Sequence, residues 1–272
     1  MAAKKQGFRW VADLGDPVAA AYTPTRWQNK ARQLEREVCC HADLITVTTR
    51  KTISQLASRY GIEEERFLLL TQGFDADFAR EEGSESVLFE PDRLELLYAG
   101  SFYTFRRIDT LLQAVMNTPR VRITIATISA PPEVLRAAAE RPESVRLIGF
   151  VRHDQVLALQ RECDVLVNIA NDDPVQIPGK VYEYLGAGTR ILQVGDGLDA
   201  ASELLDRSGI GVNETNDTHA LSGRLAAWRD EKLSTRGRLA CVIEPSFDAN
   251  AYSWQALARK IAQSIESAGR VG

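Results

Sequence analysis

At 272 residues, with 44% hydrophobic and 26% charged side chains, the chain has ordinary globular composition and length for one large domain or two ordinary ones. Thirty-three Lys and Arg against 37 Asp and Glu give a formal net charge of −4, which predicts no nucleic-acid partner and leaves only peripheral membrane contact open. The four cysteines, Cys39, Cys40, Cys163 and Cys241, show no C-x-x-C spacing, and no apolar run reaches transmembrane length, so they read as free thiols of a cytoplasmic protein.

In chain order, the basic start Met-Ala-Ala-Lys-Lys passes straight into a strand over 8–14 rather than a signal-type apolar region, and that strand breaks at Gly15-Asp16-Pro17. Asp13 and Asp16 thus sit at or just beyond a strand end, where open α/β sheets gather ligands; Asp16 also reads as a simple turn residue. A charged helix over 25–41 precedes a β-branched strand from Asp43, and a second helix runs to Tyr60 with Gly61 as its stop. Phe67-Leu-Leu-Leu-Thr is the next strand. Acidic and small residues over 81–85, before Pro91, form the best linker in the sequence.

The alternation then restarts: strand 94–99, helix 108–117, strand 121–126, a helix opened by Pro131 and Pro132, strand 145–151, helix 153–163 and strand 164–169. Beyond it come strand 191–194, helix 200–208, a short strand at Gly211-Val212, helix 219–231 and a last helical segment over 252–268 with Trp254, Leu257, Ile261 and Ile265 on one face. Strands alternating with helices mean parallel β/α units. The division predicted is a partial N-terminal α/β segment over 1–85, a Rossmann-like domain over 86–250 and a C-terminal crossover helix over 251–272.

The most informative stretch is 171–192. Its polar, turn-rich first half leads to Pro178-Gly-Lys, where Pro suits the first helical turn, Gly179 permits close approach to the free N–H groups, and Lys180 adds a positive charge. Glu183 lies one helical turn on, so a cation and an acceptor pair share a face, suited to phosphate and to sugar hydroxyls. The same pair also reads as an exposed i, i+3 ion pair on an ordinary amphipathic helix. A second constellation is Tyr98-Ala-Gly-Ser-Phe-Tyr-Thr-Phe-Arg-Arg, in which Gly100 permits a sharp turn at a strand end and Arg106 or Arg107 can clamp a diphosphate; a plain turn with solvated arginines fits those residues too. His41, His153 and His219 are scattered without metal-ligand spacing, and no metal or cofactor is predicted.

Taken in order, Tyr98-Ala-Gly-Ser with Arg106, Val145-Arg-Leu-Ile-Gly-Phe-Val with Asp164-Val-Leu-Val, and Pro178-Gly-Lys-Val-Tyr-Glu-Tyr-Leu-Gly-Ala-Gly resemble the donor-binding half of GT-B glycosyltransferases of the retaining, nucleotide-sugar-dependent family-four group. Trp10-Val-Ala-Asp-Leu-Gly-Asp-Pro, Ala42-Asp-Leu-Ile-Thr-Val-Thr and Gln72-Gly-Phe-Asp-Ala-Asp-Phe resemble the last part of that family's first domain. The resemblance implies a GT-B fold, a nucleotide-sugar ligand and a glycan or lipid-linked acceptor. It makes Glu183 the holder of the ribose hydroxyls, Gly100 and Ser101 the phosphate loop, and Arg106 a contact to the diphosphate. Phe150, Val151 and Arg152 become the segment meeting the base through its backbone, with Lys180 beside phosphate; Arg106 and Lys180 are the catalytic candidates.

Departures accompany it. Val175 stands where many relatives carry a second glutamate, which passes sugar recognition to Asn171, Asp172 or Gln176; Ser101 replaces a frequent arginine and Thr127 a frequent glycine. Most of the acceptor-side domain is missing from the resemblance. This implies a partner chain supplying the N-terminal half, a fragment, or a non-catalytic, degenerate scaffold subunit.

Overall fold

The computed structural model describes residues 8–20, 23–76, 88–103, 107–171, 175–197, 199–235, 237, 239, 241 and 243–269. The candidates Arg106, Asp172 and Asp173, and the predicted linker 81–85, lie outside them.

The N-terminal layer is a three-stranded parallel sheet of β1 (Val11–Leu14), β2 (Leu44–Val47) and β3 (Phe67–Leu69), joined by α1 (Thr25–His41) and α2 (Arg50–Tyr60). Helix α2 is bounded by its own sequence. Thr49 accepts from the Thr52 N–H at its start, and Gly61, at φ +66°, closes its end in the left-handed conformation that glycine adopts without a Cβ penalty. The core of this layer packs Leu14, Ile45, Val47 and Leu56. Beside it, the fully buried Glu35 of α1 accepts from Arg59 Nη1 at 2.6 Å, Tyr60 OH at 2.6 Å and the Ala19 N–H at 3.0 Å. Glu35 therefore holds the loop that follows β1 against both helices.

The larger layer is a six-stranded, all-parallel sheet in the order β6 (Val145–Gly149), β5 (Val121–Ala126), β4 (Leu94–Ala99), β7 (Val165–Ile169), β8 (Arg190–Val194), β9 (Gly211–Glu214). The connecting helices are α3 (Asp109–Asn117), α4 (Pro132–Glu140), α5 (His153–Glu162), α6 (Gly179–Ala187) and α7 (Ala200–Ser208), followed by α8 (Thr218–Thr235) and α9 (Trp254–Gly269). Strands β4, β5 and β7 are buried along their whole length, as central strands covered on both faces must be. One face packs Leu96, Ile123 and Val167 against Leu111, Leu225 and Trp228, and the other packs Leu97 and Leu166 against Tyr184, Leu185 and Leu205. Charges buried near the strand starts are paired: Asp164 Oδ2 accepts from Lys232 Nζ at 2.6 Å and from the Glu95 N–H at 2.8 Å, and Arg122 bonds Glu95.

Strand order reverses between β4 and β7, so connections leave the sheet in opposite directions there and a crevice opens at the carboxyl ends. The N-terminal layer caps that crevice. It is tied across by Lys51 to Glu203 at 2.7 Å, and by Phe74 and Trp254, whose backbones bond Tyr252 and Phe74 at 3.1 and 2.9 Å. The apolar stripe expected on the last helix is only partly covered. Leu257 is 5% exposed, but Trp254 stays 48% exposed, because α9 is anchored at its start by the backbone of Phe74 and Ser253 rather than by the indole.

Candidate nucleotide-sugar cleft

A cleft of about 670 Å³ lies between the carboxyl ends of the two sheets, within the range of small-molecule sites. From the larger sheet it takes Gly100 and Ser101 after β4, Thr127 and Ile128 after β5, Gly149 to Val151 after β6 and Asn171 after β7. From the smaller sheet it takes Gly15 and Asp16 after β1, Thr48 after β2 and Gln72 after β3. The remaining wall is the first turn and inner face of α6, with Pro178, Gly179, Lys180 and Glu183.

Two glycines make the strand ends sharp. Gly100 has φ +138° and Gly149 φ +69°, both conformations that L side chains rarely adopt, so β4 and β6 turn abruptly where they reach the cleft. Tyr98, fully buried in β4, fixes the loop after Gly100: its hydroxyl donates to the Ser101 carbonyl at 2.9 Å and its ring stacks on Phe102 with centroids 4.6 Å apart. The same ring receives Lys180, whose Nζ stands 4.0 Å from the centroid. Tyr184 adds a second aromatic wall at 5.9 Å. Burial pushes the Tyr184 phenol well above its ordinary range, so it stays protonated, with its OH 3.3 Å from the Val167 carbonyl. A positive charge is thus fixed at the first turn of α6, where no side chain caps the helix and the peptide dipoles already favour an anion.

Glu183 lies one turn deeper along α6, and its Oε2 accepts from Gln160 Nε2 of α5 at 3.3 Å. Asp16 Oδ1 accepts from Gln176 Nε2 at 2.8 Å, joining the two layers at the cleft that both residues line. The Thr46 hydroxyl donates to Asp13, which leaves Asp16 as the carboxylate of that loop that lines the cleft.

Of the residues predicted from sequence, Gly100, Ser101, Phe150, Val151, Lys180 and Glu183 converge on this one cleft, together with Asn171 and Gln176. Arg152 differs in its side chain. Its guanidinium bonds Asp154, which holds that carboxyl below its ordinary range, and it does not line the cleft. His153, read as a residue without ligand spacing, is at the cleft rim as the first residue of α5. Sequence reasoning missed Gln160. Its signal was a polar residue on the buried side of a helix, one turn after Val156 and three residues before the buried Cys163. Among the described residues, no group of three or more His, Cys, Asp or Glu is placed to hold a metal ion, and no helix is long and apolar enough to cross a membrane.

Two parallel sheets facing each other by their carboxyl ends, with the larger in doubly wound order and the last helix returning to the first layer, define the GT-B fold. Solved structures agree. The chain superposes on HepE (Alr3699) of Anabaena in complex with UDP, with a TM-score of 0.72 and 13% identity over 98% of this chain and 74% of that one. It superposes on a glycosyltransferase from Rickettsia africae with a TM-score of 0.65 and 12% identity, over 100% and 73% of the two chains. It also matches a structure whose description reads "putative UDP-N-acetylglucosamine 2-epimerase" from Listeria monocytogenes, with a TM-score of 0.60 and 12% identity over 100% and 71%. No family model matches the sequence, and no curated protein matches it. At these identities the likeness establishes the fold and leaves the activity to be argued from the site.

Proposed function

We propose that the chain is the donor-binding part of a retaining glycosyltransferase, taking a nucleotide-sugar and passing the sugar to a glycan or lipid-linked acceptor. The observation that carries this reading is the inner face of α6, which presents an uncapped helix start, Lys180 and Glu183 in sequence along one wall of the cleft. A nucleoside diphosphate has the matching order of groups: phosphates for the helix start and Lys180, ribose hydroxyls for Glu183, and a base for the backbone of 149–151. Complexes of the structurally similar HepE with UDP and with UDP-glucose support the ligand class.

In such a transfer the bond between the anomeric carbon and the diphosphate breaks, its electron pair leaves with the diphosphate, and an acceptor hydroxyl oxygen bonds to the same carbon while its proton passes to the departing diphosphate. Negative charge grows on the leaving oxygen. Lys180 and the α6 dipole answer it, with Arg106 as a further cation assigned from sequence, and fixed donors of this kind are the largest contribution in comparable sites. Asp16, Asn171 and Gln176 border the space left for the sugar, in keeping with the absence of a carboxylate at Val175.

Calorimetric titration with UDP, GDP and TDP tests the reading. Micromolar affinity, about −8 kcal/mol, is expected for one of them, and Glu183→Ala and Arg106→Ala should each remove roughly 1.5–3 kcal/mol of it. A folded protein that binds none of the three contradicts it. Val175 favours a second reading, a non-catalytic scaffold subunit; selective nucleotide binding without transfer or hydrolysis of any nucleotide-sugar would establish that instead.

A further inference from the structure

Resting on the assignment of Glu183 to the ribose, we propose that Gln160 is a positioning residue that aims the Glu183 carboxylate at the ribose diol and so sets the preference for ribonucleotides. Gln160 is 1% exposed, yet it borders both the main cleft and a smaller cavity of about 190 Å³ on the far side of Glu183. Its amide group, oriented so that the NH2 faces the carboxylate, donates to Glu183 Oε2 at 3.3 Å. Its own Oε1 has no hydrogen-bond partner among the described residues. Gln160 thus engages one oxygen of the Glu183 carboxylate, and Glu183 itself lines the cleft.

The backbone supports the same geometry. The Gln160 carbonyl accepts from Thr189 Oγ1 at 2.8 Å, just beyond the end of α6, so α5 is fastened to α6 by its main chain while its side chain reaches one turn back to Glu183. Packing among the described residues satisfies only half of that amide. A buried carbonyl oxygen without a partner is destabilising, and an apolar side chain of the same length would remove it. The local rule against unsatisfied buried polar atoms is broken beside the acceptor assigned to the sugar, where function, rather than packing, explains a glutamine.

The test compares the ribonucleoside diphosphate that binds, UDP or GDP, with its 2′,3′-dideoxy form, in wild type, Gln160→Met and Gln160→Glu. Gln160→Met is expected to keep or raise the melting temperature and to weaken the ribonucleotide about three- to tenfold. The dideoxy form should bind it as it binds wild type, so the preference narrows by that factor. Gln160→Glu, nearly the same shape, places a second carboxylate against Glu183; its affinity for the ribonucleotide should fall as far or further and recover as pH is lowered. Wild-type preference kept unchanged in both variants overturns the role of Gln160 while leaving the site intact. Absence of any preference in wild type, or of binding, overturns the role together with the assignment of Glu183.

Discussion

Lys180 is where fold stability and function pull apart, and Lys180→Met separates them. In the folded protein its ammonium sits 4.0 Å from the centroid of the buried Tyr98 ring, a contact worth about 0.5–2 kcal/mol. Against this, a cation in the first turn of α6 opposes the helix dipole, which costs about 0.3–1 kcal/mol. The two nearly cancel, and methionine, of similar length, keeps a soft contact with the rings of Tyr98 and Tyr184. Urea unfolding should therefore change by no more than about 1 kcal/mol, or roughly 2–4 °C in melting temperature. Nucleoside diphosphate affinity should fall by about 1.5–3 kcal/mol, roughly 10- to 150-fold, because a charge-assisted bond to phosphate is lost. Equilibrium unfolding and calorimetry on the same preparation supply both numbers. A variant destabilised by more than about 2 kcal/mol with unchanged affinity would show that Lys180 braces Tyr98 and holds no phosphate.

Other consequences follow from the same geometry. Gly100→Ala places a Cβ no nearer than 3.9 Å to Lys180 Cδ, so its cost is conformational, about 1–3 kcal/mol at φ +138°. Gly149→Ala, in the ordinary left-handed region, should cost only about 1–2 kcal/mol, and urea melts giving the reverse order would contradict the greater backbone strain expected at φ +138°. Lys232→Met leaves Asp164 buried without its cation and should cost about 3–5 kcal/mol, largely recovered in the double variant with Asp164→Asn; a neutral single variant in denaturant titration would refute the pairing. Burial and the Glu35 carboxylate raise the Tyr60 hydroxyl to about 12. The folded state then keeps that proton after the unfolded chain has lost it, so stability is full below about pH 10 and declines up to about pH 12. Tyr60→Phe should flatten that decline, and an unchanged slope would count against the effect.

Much of this was legible in the sequence, for physical reasons visible at particular residues. Strands β4 and β5 have the predicted bounds because Leu94-Glu-Leu-Leu-Tyr-Ala and the alternating Val121-Arg-Ile-Thr-Ile-Ala are rich in apolar and β-branched residues and bounded by turn residues, and α7 matches because Asp199 and Ser202 form a capping box at its start. Boundaries slipped where tertiary contacts decide them. The first strand begins at Val11, since the Trp10 N–H bonds the Asp43 side chain instead of a neighbouring strand. Strand β6 stops at Gly149, whose positive φ turns the chain two residues before its apolar run ends. Helix α8 continues to Thr235 because burial of Lys232 against Asp164 rewards an extra turn. At the site, motif spacing located the residues of α6 and the loop after β4. It did not locate Gln160, whose role depends on how α5 packs on α6, nor Asp16 as the partner of Gln176, a contact between residues 160 positions apart.

The most direct test of the central claim is the crystal structure of the protein with UDP bound. The account predicts ribose hydroxyls within about 3 Å of Glu183 and phosphate oxygens at the α6 start and Lys180, with the uracil edge against the backbone of 149–151. UDP seated elsewhere, or reversed so that its phosphates meet Glu183, would contradict the assignment of this cleft.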